Sequence, residues 1–430
     1  MEALRKTLRI IGWCVAALVG LGVAIYLIVV VINWSDRQPS AVALQFTRDY
    51  RDRPVVADPD NGFLYVMGFG APAGASPHDM RPAAVKNFIT TCRQGGPDCP
   101  GALQNGGSVF QQWSSSESGL LPRYLELIRH SGWLETVPFD ARTPLPPYAR
   151  AVDGQMLMFL DAQSLAQHGD YAGVKSLLDQ DLRFWRKVLE SSDLLISKMI
   201  ATACIQRDFE LGNLVLREIP PEHVLDAMPA GWNVPISESE RSMHRCLVGE
   251  WIYMSRSLRA AGLAAQSSAQ KSFCLRIRTR LADSLYRQQD TINRNAEYIL
   301  QMSELLNVPL DRYENAVSQT AALARKTQSE VMPPHSLYNI VGQILLGVGA
   351  FDYARYGRRV SDLEGLRRAA VLAVTLRSMK IEATQISAAV NASALREPYH
   401  NRPFEWDEAG SALVFRGLET GDRGVHHLYY

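Results

Sequence analysis

The longest run of hydrophobic residues lies at the N-terminus, where 23 residues from Ile10 to Ile32 include no charged side chain. At about 1.5 Å of rise per residue, a helix of this length reaches the roughly 30 Å of hydrocarbon in a bilayer. Asn33 and Trp34 close the run. The sequence therefore predicts a transmembrane anchor over residues 10–34.

A cleaved secretory signal is the alternative, because the basic residues Arg5, Lys6 and Arg9 precede the apolar run. The apolar part of a signal usually has only about 7–15 residues and ends at a pair of small residues. This run is longer, and its exit at residues 33–36 contains no such pair. We expect an uncleaved anchor, a cytoplasmic tail at 1–9 and the bulk of the chain in the periplasm, because basic residues stay on the cytoplasmic side.

The pattern after the anchor is polar at first and then mixed. Residues 35–59 are charged and proline-containing, which predicts a linker. Within a mixed region at 60–147, the apolar run Phe63–Met67 predicts a buried strand, Ser76-Pro77 a helix start, and 119–130 a helix. Glycine, serine and glutamine dominate residues 93–118, which we expect to form a loop.

Helical periodicity dominates residues 148–330. Two amphipathic helices joined at Gly169-Asp170 resemble one tetratricopeptide-type hairpin, but the three or more copies that a solenoid requires are missing. Helical patterns also cover 194–216, 268–305 and 309–328. A capping box of Ser237 and Glu240 predicts the start of a helix that continues to about residue 260. An irregular helical bundle is the expected architecture.

The remaining residues, 331–430, predict helices followed by a small sheet. Ile340–Ala350 is apolar but too short to span a membrane, which leaves a core helix or an interfacial contact. Asp352–Lys380 has an apolar stripe opposite an arginine-rich face, typical of a solvated or a membrane-bound face. Three short apolar runs at 403–406, 412–415 and 426–430 predict a terminal β-meander. The fold class is therefore mainly α, with an N-terminal transmembrane helix, a helical-hairpin or bundle ectodomain and a C-terminal β-meander.

Six cysteines bear on the compartment, and Cys14 lies inside the span. Cys92 and Cys99 flank a Gly-Pro turn, while Cys246 and Cys274 lie on helices expected to run antiparallel. In an oxidising compartment these pairs predict two disulfides, with Cys204 left over. Buried free thiols are the alternative.

Charge and motifs exclude several functions. With 45 basic and 44 acidic residues, no broad field of one sign attracts the chain to nucleic acid. Nine histidines lack metalloprotease spacing, and His426-His427 on a strand point to opposite faces, so helix-end or surface roles are expected for them. Ser114-Ser115-Ser116 lacks the Gly-x-Ser-x-Gly elbow. We find no catalytic, cofactor-binding or metal-binding residues to propose.

Two segments carry resemblances. Glu397-Pro398-Tyr399 and Pro403-Phe404-Glu405-Trp406 resemble the C-terminal turn and hairpin of type II secretion pseudopilins, over about 20 residues, although the prepilin-peptidase signature is missing. Asp352-Tyr353, Tyr356, Arg359 and Asp362-Leu363-Glu364-Gly365 resemble an uncharacterised family of single-pass proteobacterial envelope membrane proteins. Neither resemblance implies an activity.

These observations favour a membrane-anchored extracytoplasmic binding or scaffolding protein of the bacterial envelope. Its expected partners are the lipid bilayer, through residues 10–34, and another envelope protein. The alternative is an extracytoplasmic hydrolase that acts on a cell-envelope substrate through a site assembled from distant residues.

Overall fold

The computed structural model describes residues 2–69, 82–92, 96–136, 145–267, 283–329 and 336–430. The chain divides into two compact units, each made of three separate stretches. We call the first the anchor unit (Met1–Arg51, Trp251–Gln301 and Ala321–Asp352) and the second the main unit (Asp52–Glu250, Met302–Thr320 and Tyr353–Tyr430).

The described chain is mostly helical and ends in one small antiparallel sheet. In chain order the helices are α1 (Glu2–Ile32), α2 (Ala41–Arg51), α3 (Gly62–Met67), α4 (Ala83–Cys92), α5 (Cys99–Gln104), α6 (Gly107–Ser116), α7 (Leu120–Leu127), α8 (Tyr148–Gln167), α9 (Tyr171–Ser191), α10 (Leu195–Arg217), α11 (Val224–Ala227), α12 (Glu238–Arg241), α13 (His244–Ser267), α14 (Gln288–Leu306), α15 (Tyr313–Ser329), α16 (Ile340–Gly349), α17 (Ala354–Ser378) and α18 (Ala383–Ala392). The strands are β1 (Glu405–Asp407), β2 (Ala412–Arg416) and β3 (Val425–Tyr429).

Helix α1 contains the apolar run of the anchor unit. Its stretch Arg9–Ile32 is long and apolar enough to span a membrane, by length and composition, and only 6% of its most apolar window is buried by the rest of the chain. Large side chains such as Trp13, 78% exposed, are uncovered. The helix therefore contributes little to a protein core.

Helix α2 occupies the middle of the predicted linker, so the prediction of a tether for residues 35–59 is wrong at this point. The Ser40 side chain accepts a hydrogen bond from Ala43 N at 3.2 Å and begins the helix. Phe46 is fully buried and contacts Trp251 edge-on, with ring centroids 5.5 Å apart. Packing of this aromatic pair stabilises α2, which the polar composition of the segment did not indicate.

Short helices replace irregular structure near the start of the main unit. The predicted strand Phe63–Met67 is wrong, because these residues form α3, and the Asn61 side chain accepts a hydrogen bond from Phe63 N. The predicted loop at 93–118 is also wrong, since it contains α5 and α6. Pro100 occupies the first turn of α5, and Gly106 packs closely against Leu160 of α8. The helix start at Ser76 lies outside the described residues.

Helices α8, α9, α10 and α17 form the centre of the main unit, where α10 packs against the other three. The predicted turn between α8 and α9 is confirmed. Gly169 adopts a left-handed φ of 79°, and Asp170 begins α9 by accepting a hydrogen bond from Gly173 N at 2.9 Å.

The helix predicted from Ser237 to about residue 260 is interrupted. Its capping box is confirmed, but it begins only the single turn α12, which ends at Arg241. Helix α13 then begins at His244. Of the predicted helix 268–305, residues 268–282 lie outside the described chain, and α14 forms the remainder. Helix α15 confirms the helix at 309–328.

The terminal β-meander is confirmed as an antiparallel sheet in the order β1-β2-β3. Trp406 pairs with Leu413, and Val414 pairs with His427. The sheet packs on α17 through Phe415, whose ring lies against Gly365 so closely that a Cβ there would overlap it. This glycine sets the distance between the helix and the sheet.

We expect Gly365→Ala to lower the free energy of unfolding by about 1–3 kcal/mol, because the added methyl group must displace the buried Phe415 ring. The matched control is Gly101→Ala in α5, where an added Cβ meets nothing within 4 Å. That control should leave stability unchanged or raise it, because alanine favours helix over glycine. Urea unfolding of the full-length protein in detergent measures both, and equal stability of the two variants would contradict this packing.

Candidate functional site

A cleft of about 230 Å³ lies within the main unit, between α10 and α17 and beside β3. Helix α10 contributes residues three and four positions apart, which share one helical face. The lining residues are Met199, Thr202, Ala203, Gln206, Arg207, Arg359, Asp362, Leu363, Leu366, Glu419, Asp422, Arg423, Val425 and His426. The mixture of arginine, carboxylate and imidazole groups makes it the candidate site.

His426 is buried in the cleft wall and paired with a carboxylate. Its Nδ1 lies 2.8 Å from Glu210 Oε1, which also accepts a hydrogen bond from Gln206 Nε2 at 3.1 Å. Burial alone would lower the pKa of His426, but the hydrogen bond and charge of Glu210 outweigh burial, so its pKa lies above the usual 6.5. The charged imidazolium is therefore more favoured here than in a free histidine.

Asp362 holds the loop between β2 and β3 in place. Its carboxylate accepts hydrogen bonds from Tyr399 Oη at 2.6 Å, Leu418 N at 2.8 Å and Glu419 N at 3.1 Å. Burial raises the pKa of Asp362 despite these donors. Because its oxygens are already bonded, Asp362 shapes the cleft instead of offering a free acceptor.

Arginines supply the positive groups of the cleft. Arg359 forms an ion pair with Glu419. Arg423 is exposed. Arg207 is only 9% exposed, and its Nε has no hydrogen-bond partner among the described residues. Its Nη1 reaches Gln155 Oε1 at 3.4 Å, which is a long hydrogen bond.

Behind Arg207 lies a buried polar network. Gln155 Nε2 donates to Asp181 Oδ2 at 2.7 Å, and Tyr124 Oη donates to the other oxygen of Asp181. Trp185 Nε1 donates to Tyr124 Oη at 2.8 Å. Burial raises the pKa of Asp181 to about 6, although these donors and the Arg207 charge act against it. The network fixes α8, α9 and α10 beneath the cleft.

A second buried cluster, around Lys198 and Glu135, has a structural role. Lys198 Nζ donates to the carbonyls of Leu189 and Glu240 at 2.7 and 2.8 Å, and burial lowers its pKa to about 8. Burial, reinforced by the Asp193 charge, raises the pKa of Glu135 to about 7. Lys198 bonds to the end of α9, and Glu135 accepts a hydrogen bond from Asp193 N at 2.7 Å. Neither side chain lines the cleft.

The prediction of a solvated arginine-rich face on α17 is wrong for Arg367. This side chain is buried and forms two 2.8 Å hydrogen bonds to Glu364, while its Nη1 donates to Trp232 O at 2.7 Å. Arg359, on the same helix, lines the cleft. The arginines of α17 therefore contribute both to packing, through Arg367, and to the cleft, through Arg359.

The structure joins one pair of the candidate cysteines. Cys92 and Cys99 form a disulfide that links the end of α4 to the start of α5. Cys246 carries a buried free thiol whose Sγ lies 3.2 Å from Met243 O, and Cys204 is also free and buried. Cys274 lies outside the described residues, so its pairing with Cys246 stays a prediction.

His426 is the residue that sequence reasoning placed wrongly, since the expectation of a helix-end or surface role fails there. The alternation along β3 does send His426 inward and leaves His427 half-buried. Its partner Glu210 is 216 positions away in the chain, and no local spacing reveals such a pair.

The serines at 114–116 belong to α6, outside the cleft lining, and Ser116 Oγ donates to Trp113 O at 3.0 Å. Among the described residues, no group of three or more metal-ligating side chains forms.

Comparison with known proteins finds no matching family model, no matching curated protein and no matching solved structure.

We expect Glu210→Gln to lower the pKa of His426, because the substitution removes the charge that outweighs burial. The pair stabilises the folded protein fully below the unfolded histidine pKa of about 6.5, as long as Glu210 is ionised. This stabilisation disappears as the pH rises through the higher folded pKa. Histidine NMR titration measures the shift, with His426→Gln to identify the signal of His426, and an unchanged His426 pKa in the Glu210→Gln variant would contradict the pairing.

Proposed function

We propose that the chain is a membrane-anchored extracytoplasmic binding or scaffolding protein of the bacterial envelope. The exposed apolar surface of α1 is the observation that carries the proposal, because such a surface is stable in lipid and not in water. Trp13 and Trp34 are both exposed and lie about 30 Å apart along the helix direction, a spacing suited to the two interfaces of a bilayer.

The proposed topology has the N-terminus in the cytoplasm and a single span in the inner membrane. Three basic residues precede the span within nine positions, whereas Arg37 alone lies in the first ten positions after it. The Cys92–Cys99 disulfide supports an oxidising compartment such as the periplasm for the helical bundle.

The cleft of the main unit is the proposed binding site. Arg207 and Arg423 supply guanidinium groups, and Glu210 favours the charged form of His426. Guanidinium groups bind carboxylates with two parallel hydrogen bonds. We therefore propose that a carboxylate of an envelope protein partner enters this cleft.

A periplasmic hydrolase is the second candidate, and one observation favours it. The Glu210–His426 pair has the geometry by which a carboxylate orients a histidine base. Thr202 supplies a hydroxyl to the cleft lining, but that hydroxyl donates to Lys198 O at 2.8 Å. A hydrolase at this site requires the neutral form of His426 to activate a water or a hydroxyl of the substrate, so it would work only above the raised pKa of that histidine.

Crosslinking in the native membrane followed by purification of the full-length protein tests the binding proposal. We expect repeated recovery of one specific envelope protein with the wild type and several-fold less with Arg423→Gln, because that exposed cation lines the cleft. The matched control is Arg183→Gln, which removes an exposed arginine of α9 whose side chain is 72% exposed. This control should recover the partner as the wild type does.

Equal recovery by both variants would exclude the cleft as the binding site. Recovery of no partner, together with turnover of a cell-wall or lipid substrate that His426→Gln abolishes, would replace the binding proposal by the hydrolase.

A further inference from the structure

Helix α16 of the anchor unit leaves three of its large apolar side chains exposed, those of Ile344, Leu345 and Val348. The face that packs against the protein consists of Gly342, Gln343 and Gly347, which are buried. The opposite face carries Ile344 and Val348, the latter 76% exposed. Such an exposed apolar face is unusual for a helix on a water-soluble surface, whose apolar face points inward.

Specific contacts explain the buried small and polar face. Gln343 Nε2 donates to the carbonyls of Ser336 and Tyr338 at 2.9 and 2.8 Å. Gly342 lies so close to Thr291 of α14 that a Cβ there would overlap the threonine hydroxyl. The orientation of α16 is therefore fixed, and its apolar face is not free to turn inward.

The start of α16 is bonded to the end of α1. Asn33, which follows α1, donates through Nδ2 to Leu337 O at 2.7 Å and accepts from Asn339 N at 2.6 Å. Asn339 in turn accepts a hydrogen bond from Gly342 N at 3.1 Å and so caps α16. Two asparagines thus place the start of α16 at the level where α1 ends.

A second contact, nearer the middle of α1, shows how far the rest of the anchor unit extends along this helix. Tyr26 Oη and Ser284 Oγ are 2.8 Å apart, and Tyr26 precedes Asn33 by seven residues, or about 10 Å of helix. Part of the anchor unit therefore lies beside the last two turns of the apolar run.

We propose that α16, together with Phe351, is a second membrane contact that lies in the lipid interface on the side where α1 emerges. This inference rests on the proposed membrane anchoring by α1. Residues 340–351 carry no charged side chain, and ten helical residues cover only about 15 Å, so the helix lies in the interface instead of crossing the bilayer. Phe351 is 63% exposed and extends the apolar face beyond the helix.

Lipid is the occupant that the position of the helix favours. Leu337, which lies between the junction with α1 and α16, is also exposed. The exposed apolar face of α16 is therefore continuous with the apolar surface of α1, which we propose lies in lipid. A second copy of the chain or another protein would have to cover this face at the membrane surface, and either would be detected in the experiment below.

Photo-crosslinking of the full-length protein in membranes with a clickable phospholipid tests the contact. The photoreactive residue p-benzoyl-phenylalanine replaces Phe351 in one variant, where it preserves the aromatic ring, and Val348 in another. Leu18 of α1 is the site that reports anchoring, and Val234, an exposed valine of the main unit, is the matched control. We expect several-fold more lipid adduct at positions 348 and 351 than at 234.

The outcomes separate the two proposals. Lipid adduct at position 18 with only the level of position 234 at both 348 and 351 would overturn the interfacial helix while leaving the anchor intact. Absence of lipid adduct at position 18 would overturn the anchoring and this inference with it. Adduct to a protein at 348 and 351, with no lipid, would also overturn the inference. Wild-type unfolding behaviour of each variant is the control for folding.

Discussion

The apolar surface of α1 is the constraint on which the rest of the molecule depends, since its most apolar window is only 6% buried. An apolar surface of this size is unfavourable in water, whereas the residues that follow it, from Asn33 on, are mostly polar. Asn33 and Asp36 bond this exit to other segments of the anchor unit: Asn33 bonds to the segment before α16, and Asp36 accepts hydrogen bonds from Gln289 N and Asp290 N at the start of α14. The exit of the helix is thus a defined junction.

The main unit is stabilised by a different interaction, the pairing of buried and half-buried charges. Arg186 donates two hydrogen bonds of 2.6 and 2.8 Å to Glu240, and Arg367 is paired with Glu364. Removing one partner from such a pair typically costs about 3–5 kcal/mol, because the other charge stays buried. Arg207 differs, since its Nε has no partner among the described residues. Other arginines, Arg241 and Arg377 among them, share this feature, and Arg207 is the one of them that lines the cleft.

The sequence pattern predicted those helices, turns and strands that are determined by neighbouring residues in the chain. The apolar run gives α1, the turn at Gly169 separates α8 from α9, and the terminal alternation gives the sheet. Segments with short or polar patterns, such as α3, α5 and α6, were missed because their burial comes from contacts such as Gly106 with Leu160. The site was missed for the same reason, as His426 and Glu210 meet across 216 positions. The compact units are likewise discontinuous in sequence.

The central claim is that α1 crosses a membrane and holds the remainder of the chain outside the cytoplasm. A reporter that fluoresces only in the cytoplasm, fused after Tyr430, measures this directly, with the same reporter fused before Met1 as the control for expression. We predict a dark C-terminal fusion and a bright N-terminal fusion, both in the membrane fraction. A bright C-terminal fusion would contradict the orientation, and a full-length protein found in the soluble fraction would contradict the anchor.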